Sequence, residues 1–283
     1  MTPRLFLSLA LVFLTALPVM AERPRPLGWA IDAARGGNWE QAAQIAARDG
    51  QVAVDVIEWM HLRARDSSYE TVTGFLDRRP NWPQERRIRL RAEEVVILRK
   101  DSEVLQFFAT VAPQTPAGLL RYAEALARTE RSEEANAAVV GAWRNMPMSV
   151  SEQERLLEGY GEIVASHHDA RLDAMLWRGA LENARRMFEL ASDGAVAAAK
   201  ARIALRNTSP GVDTLIEAVP KSHARNGGLQ YDRFVWRLRK GRSEDAKALL
   251  IASSKSAERL GRPEAWSNRR RSMARDEMRN GDA

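Results

Sequence analysis

Residues 75–94, FLDRRPNWPQERRIRLRAEE, contain two short helical segments joined by a corner of two prolines and a tryptophan. Pro80 cannot continue a helix, because proline lacks the backbone N–H and crowds the preceding turn. Pro83 suits the first residue of the next helix, where that N–H would have no partner. We expect the Trp82 ring to pack against both helices and fix the angle between them, and we favour this structural role over stacking on a ligand.

Helical periodicity continues on both sides of this corner. Apolar residues recur at i, i+3, i+4 and i+7, which places them on one face of a helix, and no long segment alternates with the period of a strand. Gly, Pro and Asn separate the segments. The clearest matches are Trp39/Ala42/Ala43/Ala46, Val104/Phe107/Phe108/Val111, Leu119/Tyr122/Ala123/Leu126, Ala135/Ala138/Val139/Ala142, Val212/Leu215/Ile216/Val219 and Tyr231/Phe234/Val235/Leu238.

The segments are short, and short connections place neighbouring helices antiparallel. Residues 37–50, GNWEQAAQIAARDG, and residues 241–253, GRSEDAKALLIAS, look like single helices of a tetratricopeptide-type hairpin. Both begin with Gly and carry small Ala residues where helices must approach closely. We therefore predict an all-α fold, an irregular α-solenoid of about a dozen short antiparallel helices.

The first 21 residues have the pattern of a secretory signal peptide. Arg4 gives a positive start, an apolar run follows over residues 5–17, and Val19 and Ala21 fit a small-residue cleavage site. That run is shorter than the roughly 18 residues that a membrane-spanning helix needs, so we favour cleavage after Ala21 over a permanent anchor. We expect a periplasmic protein in which residues 22–283 form one α-superhelical domain.

The composition excludes several chemistries. There is no cysteine, so disulfides, thiolate metal sites and a cysteine nucleophile are ruled out. The formal net charge of +6 is concentrated towards the C-terminus, since residues 221–283 carry 16 Lys or Arg and 8 Asp or Glu. For an exported protein, anionic wall polymers or membrane surfaces are more plausible electrostatic partners than nucleic acid.

The corner and its flanking helices resemble the N-terminal superhelical region of soluble lytic murein transglycosylases, which are periplasmic enzymes that cleave peptidoglycan. The C-terminal stretch LGRPEAWSNRRRSMAR, residues 260–275, also looks like that family. The matching positions are Trp59, Arg63, Phe75, Arg79, Pro80, Trp82, Pro83, Ala92 and Glu93, and then Trp266, Arg269, Arg270, Ala274 and Arg275.

The resemblance implies a U-shaped α-superhelix, which in the family precedes a lysozyme-like catalytic domain. That domain cleaves the β-1,4 bond between N-acetylmuramic acid and N-acetylglucosamine through a glutamate in a Glu-Ser dipeptide, followed downstream by Gly-Leu-Met-Gln. Here no glutamate precedes a serine and no methionine precedes a glutamine. No catalytic residue can therefore be assigned, and we predict that this chain is inactive alone, with no cofactor or metal site.

Two acidic pairs are candidates for glycoside cleavage, which needs a carboxylic acid of raised pKa and usually a nearby carboxylate. They are Glu93-Glu94 and Glu133-Glu134. Neighbours on a helix point about 100° apart, so neither pair converges on one substrate. We interpret both as solvated helix faces, and we consider a structural partner for Glu93.

The densest histidine site is His167-His168-Asp169. A metal would require a third convergent ligand, and Asp169 is too close in sequence to serve comfortably, so a solvated loop or helix start is the preferred interpretation. His61 and His223 are isolated.

Three further sequence patterns do not indicate a functional site. Residues 207–209, NTS, match a glycosylation acceptor by chance, and residues 225–228, RNGG, are predicted to form a turn. Residues 233–242, RFVWRLRKGR, predict an amphipathic helix with a solvated basic side rather than a nucleic-acid or membrane contact.

Two functions remain open from the sequence. The first is the scaffold of a soluble lytic transglycosylase without its catalytic domain, with peptidoglycan and a separately encoded catalytic domain as partners. The second is a stand-alone periplasmic helical-repeat adaptor that binds proteins. In the family, the helix predicted at residues 262–283 is interior to the superhelix, so we expect it to need a neighbouring helix.

Overall fold

The structure, a computed structural model, describes residues 26–64 and 67–281. Within these residues the regular elements are helices and there is no strand, which confirms the all-α prediction. The predicted signal peptide, residues 1–21, lies outside the described residues.

The described residues contain seventeen α-helices, more than the dozen predicted, partly because α11 and α16 are too short to show a periodic pattern. Their bounds are α1 Pro26–Arg35, α2 Trp39–Ala46, α3 Gln51–Ala64, α4 Tyr69–Arg78, α5 Glu85–Val96, α6 Asp101–Phe108, α7 Pro116–Arg128, α8 Ser132–Asn145, α9 Val150–Val164, α10 His168–Arg178, α11 Leu181–Arg186, α12 Asp193–Asn207, α13 Val212–Glu217, α14 Gly227–Arg239, α15 Ser243–Ser253, α16 Ala257–Leu260 and α17 Pro263–Asn280.

The chain divides into two compact units, one up to Ile88 and one from Arg89 onward. In the first unit, α1, α2 and α3 pack through small residues around Ile57. In the second unit, the largest apolar cluster involves helices between α7 and α12 and includes Trp143, Leu156 and Met175. A separate cluster forms near the C-terminus around Phe234 and Trp266. The single superhelical domain over residues 22–283 stays a prediction.

One joint geometry recurs between consecutive helices. It joins α1 to α2, α7 to α8, α10 to α11 and α14 to α15. In each joint one residue has a left-handed backbone, and the four residues are Gly37, Glu130, Gly179 and Gly241, with φ of 82°, 60°, 77° and 71°. Because Glu130 bears a side chain, its conformation is the costly one of the four.

The hydrogen bonds of the four joints are also the same, and in each the residue after the left-handed one is the N-cap of the next helix. The left-handed residue donates its N–H to the carbonyl three residues earlier, and the next residue donates to the carbonyl five residues earlier. In the last joint these bonds are Gly241 N–H to Leu238 O, 3.1 Å, and Arg242 N–H to Arg237 O, 2.9 Å. This is the Schellman arrangement that satisfies the final carbonyls of a helix. Arg242 is at the same time the N-cap of α15. Thr208 ends α12 with the same pair of bonds, but the N-cap of α13 comes only at Gly211.

Each joint is followed by the same short sequence pattern. The segments are GNWEQA at 37–42, ERSEEA at 130–135, GALENA at 179–184 and GRSEDA at 241–246. The final alanine is buried in all four: Ala42, Ala135, Ala184 and Ala246 are at most 1% exposed. The shared glutamate lies in the first helical turn, where a negative charge is favoured by the helix dipole. A side chain as small as Ala lets the two helices of the hairpin approach closely.

The proline corner differs in detail from the prediction. α4 ends at Arg78, but α5 begins at Glu85, so Pro83 lies in the turn and does not start the helix. The turn is closed by the Glu85 N–H, which donates to the Trp82 carbonyl at 3.0 Å. Gln84 takes a left-handed φ of 62°, an extra backbone reversal that sequence alone does not signal.

Trp82 is half-buried and packs on α4. Its ring meets Phe75 edge-on with 5.7 Å between ring centroids, and the Arg79 guanidinium lies over it at 5.9 Å. Arg79 Nε also donates to Asp55 Oδ2 at 2.6 Å. Asp55 is a fully buried residue of α3, so this contact ties α4 to α3.

The close approach of the two helices at the joint alanine can be tested by replacing this alanine with a larger residue. Ala246→Leu should lower the free energy of unfolding by about 1–3 kcal/mol, because a larger side chain overpacks a closed contact. Ala248→Leu is the matched control on the same helix; Ala248 is exposed, and the change should stay within about 0.5 kcal/mol. Urea unfolding followed by circular dichroism measures both. Equal losses in the two variants would contradict the close approach at Ala246.

Candidate functional site

Glu93 lies in α5 and is 2% exposed. Its carboxylate accepts three hydrogen bonds from the start of α7: Gln114 N–H at 2.6 Å, Thr115 N–H at 2.8 Å and the Thr115 hydroxyl at 2.5 Å. The Thr115 oxygen in turn accepts from Gly118 N–H at 2.9 Å and caps α7. The interpretation of Glu93 as part of a solvated helix face was therefore wrong, because its side chain is buried, whereas the structural partner considered for it is present at Gln114 and Thr115.

Burial raises the pKa of Glu93 above its ordinary value, and its hydrogen bonds to Thr115 and Gln114 work in the opposite direction. A raised pKa is what a general acid needs. Here, however, the carboxylate is closed in by backbone: a Cβ on Gly118 would lie only 2.4 Å from Glu93 Oε2. Nothing the size of a sugar can reach this carboxylate, so its role is to anchor α7.

The other acidic candidates lie in solvent. Glu94 is exposed on α5, and Glu133 and Glu134 are exposed in the first turn of α8. Glu134 accepts two hydrogen bonds of 2.7 Å from Arg131, and this partner lowers the pKa of Glu134. The prediction of a solvated helix face is confirmed for Glu94, Glu133 and Glu134.

The histidine candidates are packing residues. His168 begins α10, and its ring meets Trp143 edge-on with centroids 5.5 Å apart. Burial lowers the pKa of His168, with Asp169 acting in the opposite direction. Both carboxylate oxygens of Asp169 accept from Ser192, from its N–H at 2.7 Å and its hydroxyl at 2.6 Å. In the first unit, His61 packs edge-on against Trp39 at 5.0 Å.

The RNGG prediction was wrong in part. Asn226 caps α14 by accepting from Leu229 N–H at 3.0 Å, and Gly227 and Gly228 are the first two residues of the helix. The glycines are needed for close packing: a Cβ on Gly228 would lie 2.3 Å from Arg202 Cζ, and one on Gly227 would lie 2.4 Å from Gly261 N.

The basic side of residues 233–242 is less solvated than predicted. Arg237 donates to the Asp245 carbonyl and Arg239 to the Arg206 carbonyl, each at 2.8 Å. Burial lowers the pKa of Arg233. These cations stabilise neighbouring helices, so they are only partly available to a ligand.

The strongest charge cluster was not foreseen from the sequence. Arg202 in α12 is 1% exposed and Asp232 in α14 is 4% exposed. Arg202 Nε donates to Asp232 Oδ2 at 2.8 Å, and Arg206 Nε donates to Asp232 Oδ1 at 2.8 Å. Arg202 Nη1 also donates to Asp173 Oδ1 of α10 at 2.6 Å. Three helices are joined by this cluster.

A partly open cavity of about 240 Å³ lies beside this cluster. Its polar lining residues are Asp169, Asp173, Arg202, His223 and Asn226, and its floor is mostly alanine and leucine from α10 and α12. The cavity could hold a small polar molecule or water. Asp169, Asp173 and Arg202 already bond one another or Ser192, so the cavity offers no evident acid–base pair.

The buried arginine of α10 likewise serves the fold. Arg171 donates to the carbonyls of Trp143 and Met146, the latter at 2.9 Å, and its guanidinium lies over the Trp143 ring at 4.3 Å. Burial lowers the pKa of Arg171 to about 10. Its positive charge is well placed at the C-terminal end of α8.

Within residues 26–64 and 67–281, no group of three His, Asp or Glu side chains is placed to hold a metal ion. No helix among them is long and apolar enough to cross a membrane.

Comparison with known proteins gave no match to a family model, to a curated protein or to a solved structure.

The role of Glu93 can be measured directly. Glu93→Ala leaves three half-buried donors without an acceptor and should lower the free energy of unfolding by roughly 2–4 kcal/mol. Glu94→Ala removes the exposed neighbour on the same helix and should change it by less than about 0.5 kcal/mol. Thermal and urea unfolding provide the comparison. A Glu93→Ala protein as stable as Glu94→Ala would show that Glu93 does not anchor α7.

Proposed function

We propose that this chain is a non-catalytic periplasmic scaffold that binds peptidoglycan, built like the superhelical part of soluble lytic transglycosylases. The helical joint that recurs four times is the observation that carries this proposal, because hairpins of one geometry stack into solenoids. Helices of the second unit also pack in sequence order, α8 with α10, α10 with α12 and α12 with α14. We therefore propose an irregular α-solenoid of hairpins.

The positions that carry the family resemblance support the same proposal in the first unit. The Arg63 guanidinium lies over the Trp59 ring at 4.6 Å. Phe75 and Trp82 pack edge-on, and Arg79 pairs with the buried Asp55. These residue types are used to join helix to helix, as a superhelix of short helices requires.

A binding role rather than catalysis is supported by the surroundings of two candidate glutamates, Glu93 and Glu134. Glycoside cleavage needs a carboxyl group that touches the leaving-group oxygen. Glu93 is closed in by α7, and Glu134 is held by Arg131. We propose that any bond cleavage is supplied by a catalytic domain that acts with this scaffold.

A second candidate function, a protein-binding adaptor, is favoured by one groove in the second unit. A depression of about 540 Å³ is lined by Val150, Leu157, Phe188 and Leu190 and bordered by charged residues that include Glu154. Val150 is 53% exposed and Leu190 is 37% exposed. Apolar side chains in a charged border are typical of protein contacts.

Purified murein sacculi test the main proposal. The protein should sediment with sacculi at physiological salt and should release no anhydromuramyl-ended fragments, as measured by mass spectrometry of the supernatant. A lytic transglycosylase assayed in parallel gives the positive control for release, and an unrelated helical protein gives the control for sedimentation.

The experiment tests two parts of the proposal separately, the absence of catalysis and the binding of peptidoglycan. Release of anhydromuramyl products would contradict the absence of catalysis. A protein that stays in the supernatant would contradict peptidoglycan binding. Cross-linking of the same protein to a periplasmic protein, lost on Val150→Asp but kept on Val52→Asp, would then favour the adaptor. Val52 of α3 is the control because it is a still more exposed valine, at 63%.

A further inference from the structure

α17 carries a row of arginines on the side that faces away from the protein. Trp266, Met273 and Glu277 are buried or half-buried and share one face, and the half-buried Ala265 lies beside Trp266. Trp266 is 1% exposed, and its indole N–H donates to the Leu260 carbonyl at 3.0 Å. Glu277 is paired with Lys247 of α15. Both ends of the helix are thus held, and its outer side is fixed in orientation.

Arg271, Arg275 and Arg279 lie on that outer side. Spaced four residues apart, they follow one another at about 40° around the axis and about 6 Å along it. All three are exposed. Arg275 has no hydrogen bond or ion pair within the described part of the chain. Arg279 pairs with Asp276 at 3.3 Å, but the two side chains are 76% and 61% exposed, so the pair is worth little in water.

Few carboxylates oppose this row. Two exposed carboxylates of α17 lie near the row: Glu264 in the first turn, about 10 Å along the axis from Arg271, and Asp276, which pairs with Arg279. The part of the chain that contains the helix, residues 221–283, has twice as many basic as acidic residues. An evenly spaced row of fixed positive charges complements a chain of evenly spaced negative charges.

We propose that the outer face of α17 binds a linear polyanion without bases, of the polyol phosphate type, through Arg271, Arg275 and Arg279. Guanidinium groups hold phosphate oxygens in paired hydrogen bonds. Each contact also releases counterions from the polymer, so that affinity falls steeply with salt. This binding is independent of peptidoglycan recognition and does not rest on it.

The same face is poorly suited to two other polyanionic partners. Single-stranded nucleic acid is bound through aromatic side chains on which bases stack, and the exposed residues of α17 include no aromatic. An anionic membrane is bound by helices that insert an apolar face, and Met278, 68% exposed, is the one large apolar side chain exposed on α17.

A labelled glycerol phosphate oligomer tests the proposal by fluorescence anisotropy over a range of salt concentrations. The triple variant R271Q/R275Q/R279Q should bind at least about tenfold more weakly at low salt. The slope of log affinity against log salt should fall in magnitude by about two to three, one unit for each lost phosphate contact.

The control variant R144Q/R155Q/R178Q removes the same net charge. Its three arginines are exposed on α8, α9 and α10, and its affinity should stay within about twofold of the parent protein. Circular dichroism establishes that both variants are folded. Equal losses in the two variants would overturn the proposal in favour of overall charge, and absence of binding by the parent at low salt would overturn it outright.

Competition distinguishes the partners. Oligothymidylate and phosphatidylglycerol vesicles, each at the same phosphate concentration, should displace the oligomer less well than unlabelled glycerol phosphate oligomer does. Stronger displacement by either one would overturn the choice of a base-free polymer.

Discussion

A left-handed residue followed five residues later by a buried alanine is the constraint on which the helical hairpins depend. The left-handed residue and the residue after it donate hydrogen bonds to the last carbonyls of one helix. The second of these two residues is also the N-cap of the next helix. The alanine then lets the two helices approach closely enough to bury their faces. Gly supplies the reversal at 37, 179 and 241, and at 130 a glutamate takes the same backbone conformation. Because no disulfide is available, packing must stabilise these hairpins.

Packing within one hairpin does not fix the position of the helices next to it. Buried polar groups make the connections between these neighbouring helices. Glu93 holds the start of α7, Arg171 holds the end of α8, and Arg202 with Asp232 joins α10, α12 and α14. Each is bonded to backbone groups or to an opposite charge, as burial of polar groups requires. Of these residues, Glu93 is the one that the sequence offers as a candidate for chemistry, and in the structure it joins α5 to the start of α7.

The sequence predicts the helices well where the pattern is local. Apolar quartets identify most of the long helices, and Gly37 and Gly241 identify two of the four joints. The joint at Glu130 was missed because glutamate carries no signal for a left-handed backbone, and the one at Gly179 because the short α11 shows little periodicity. Gly227 and Gly228 look like a turn in the sequence because the contacts that require glycine there come from distant parts of the chain. These contacts are with the Arg202 guanidinium and with Gly261. Pairs such as Arg202 and Asp232, 30 residues apart, depend on tertiary packing that no local pattern records.

The shared joint is tested most directly by replacing the left-handed residue in two of its copies and measuring the free energy of unfolding in urea. Gly241 has open space around its missing Cβ, so Gly241→Ala changes only the backbone preference and should cost about 1 kcal/mol. Glu130→Gly should leave stability unchanged or raise it by up to about 1 kcal/mol, since relief of the left-handed strain outweighs the flexibility of glycine. A loss of stability in Glu130→Gly together with no loss in Gly241→Ala would contradict a common left-handed joint.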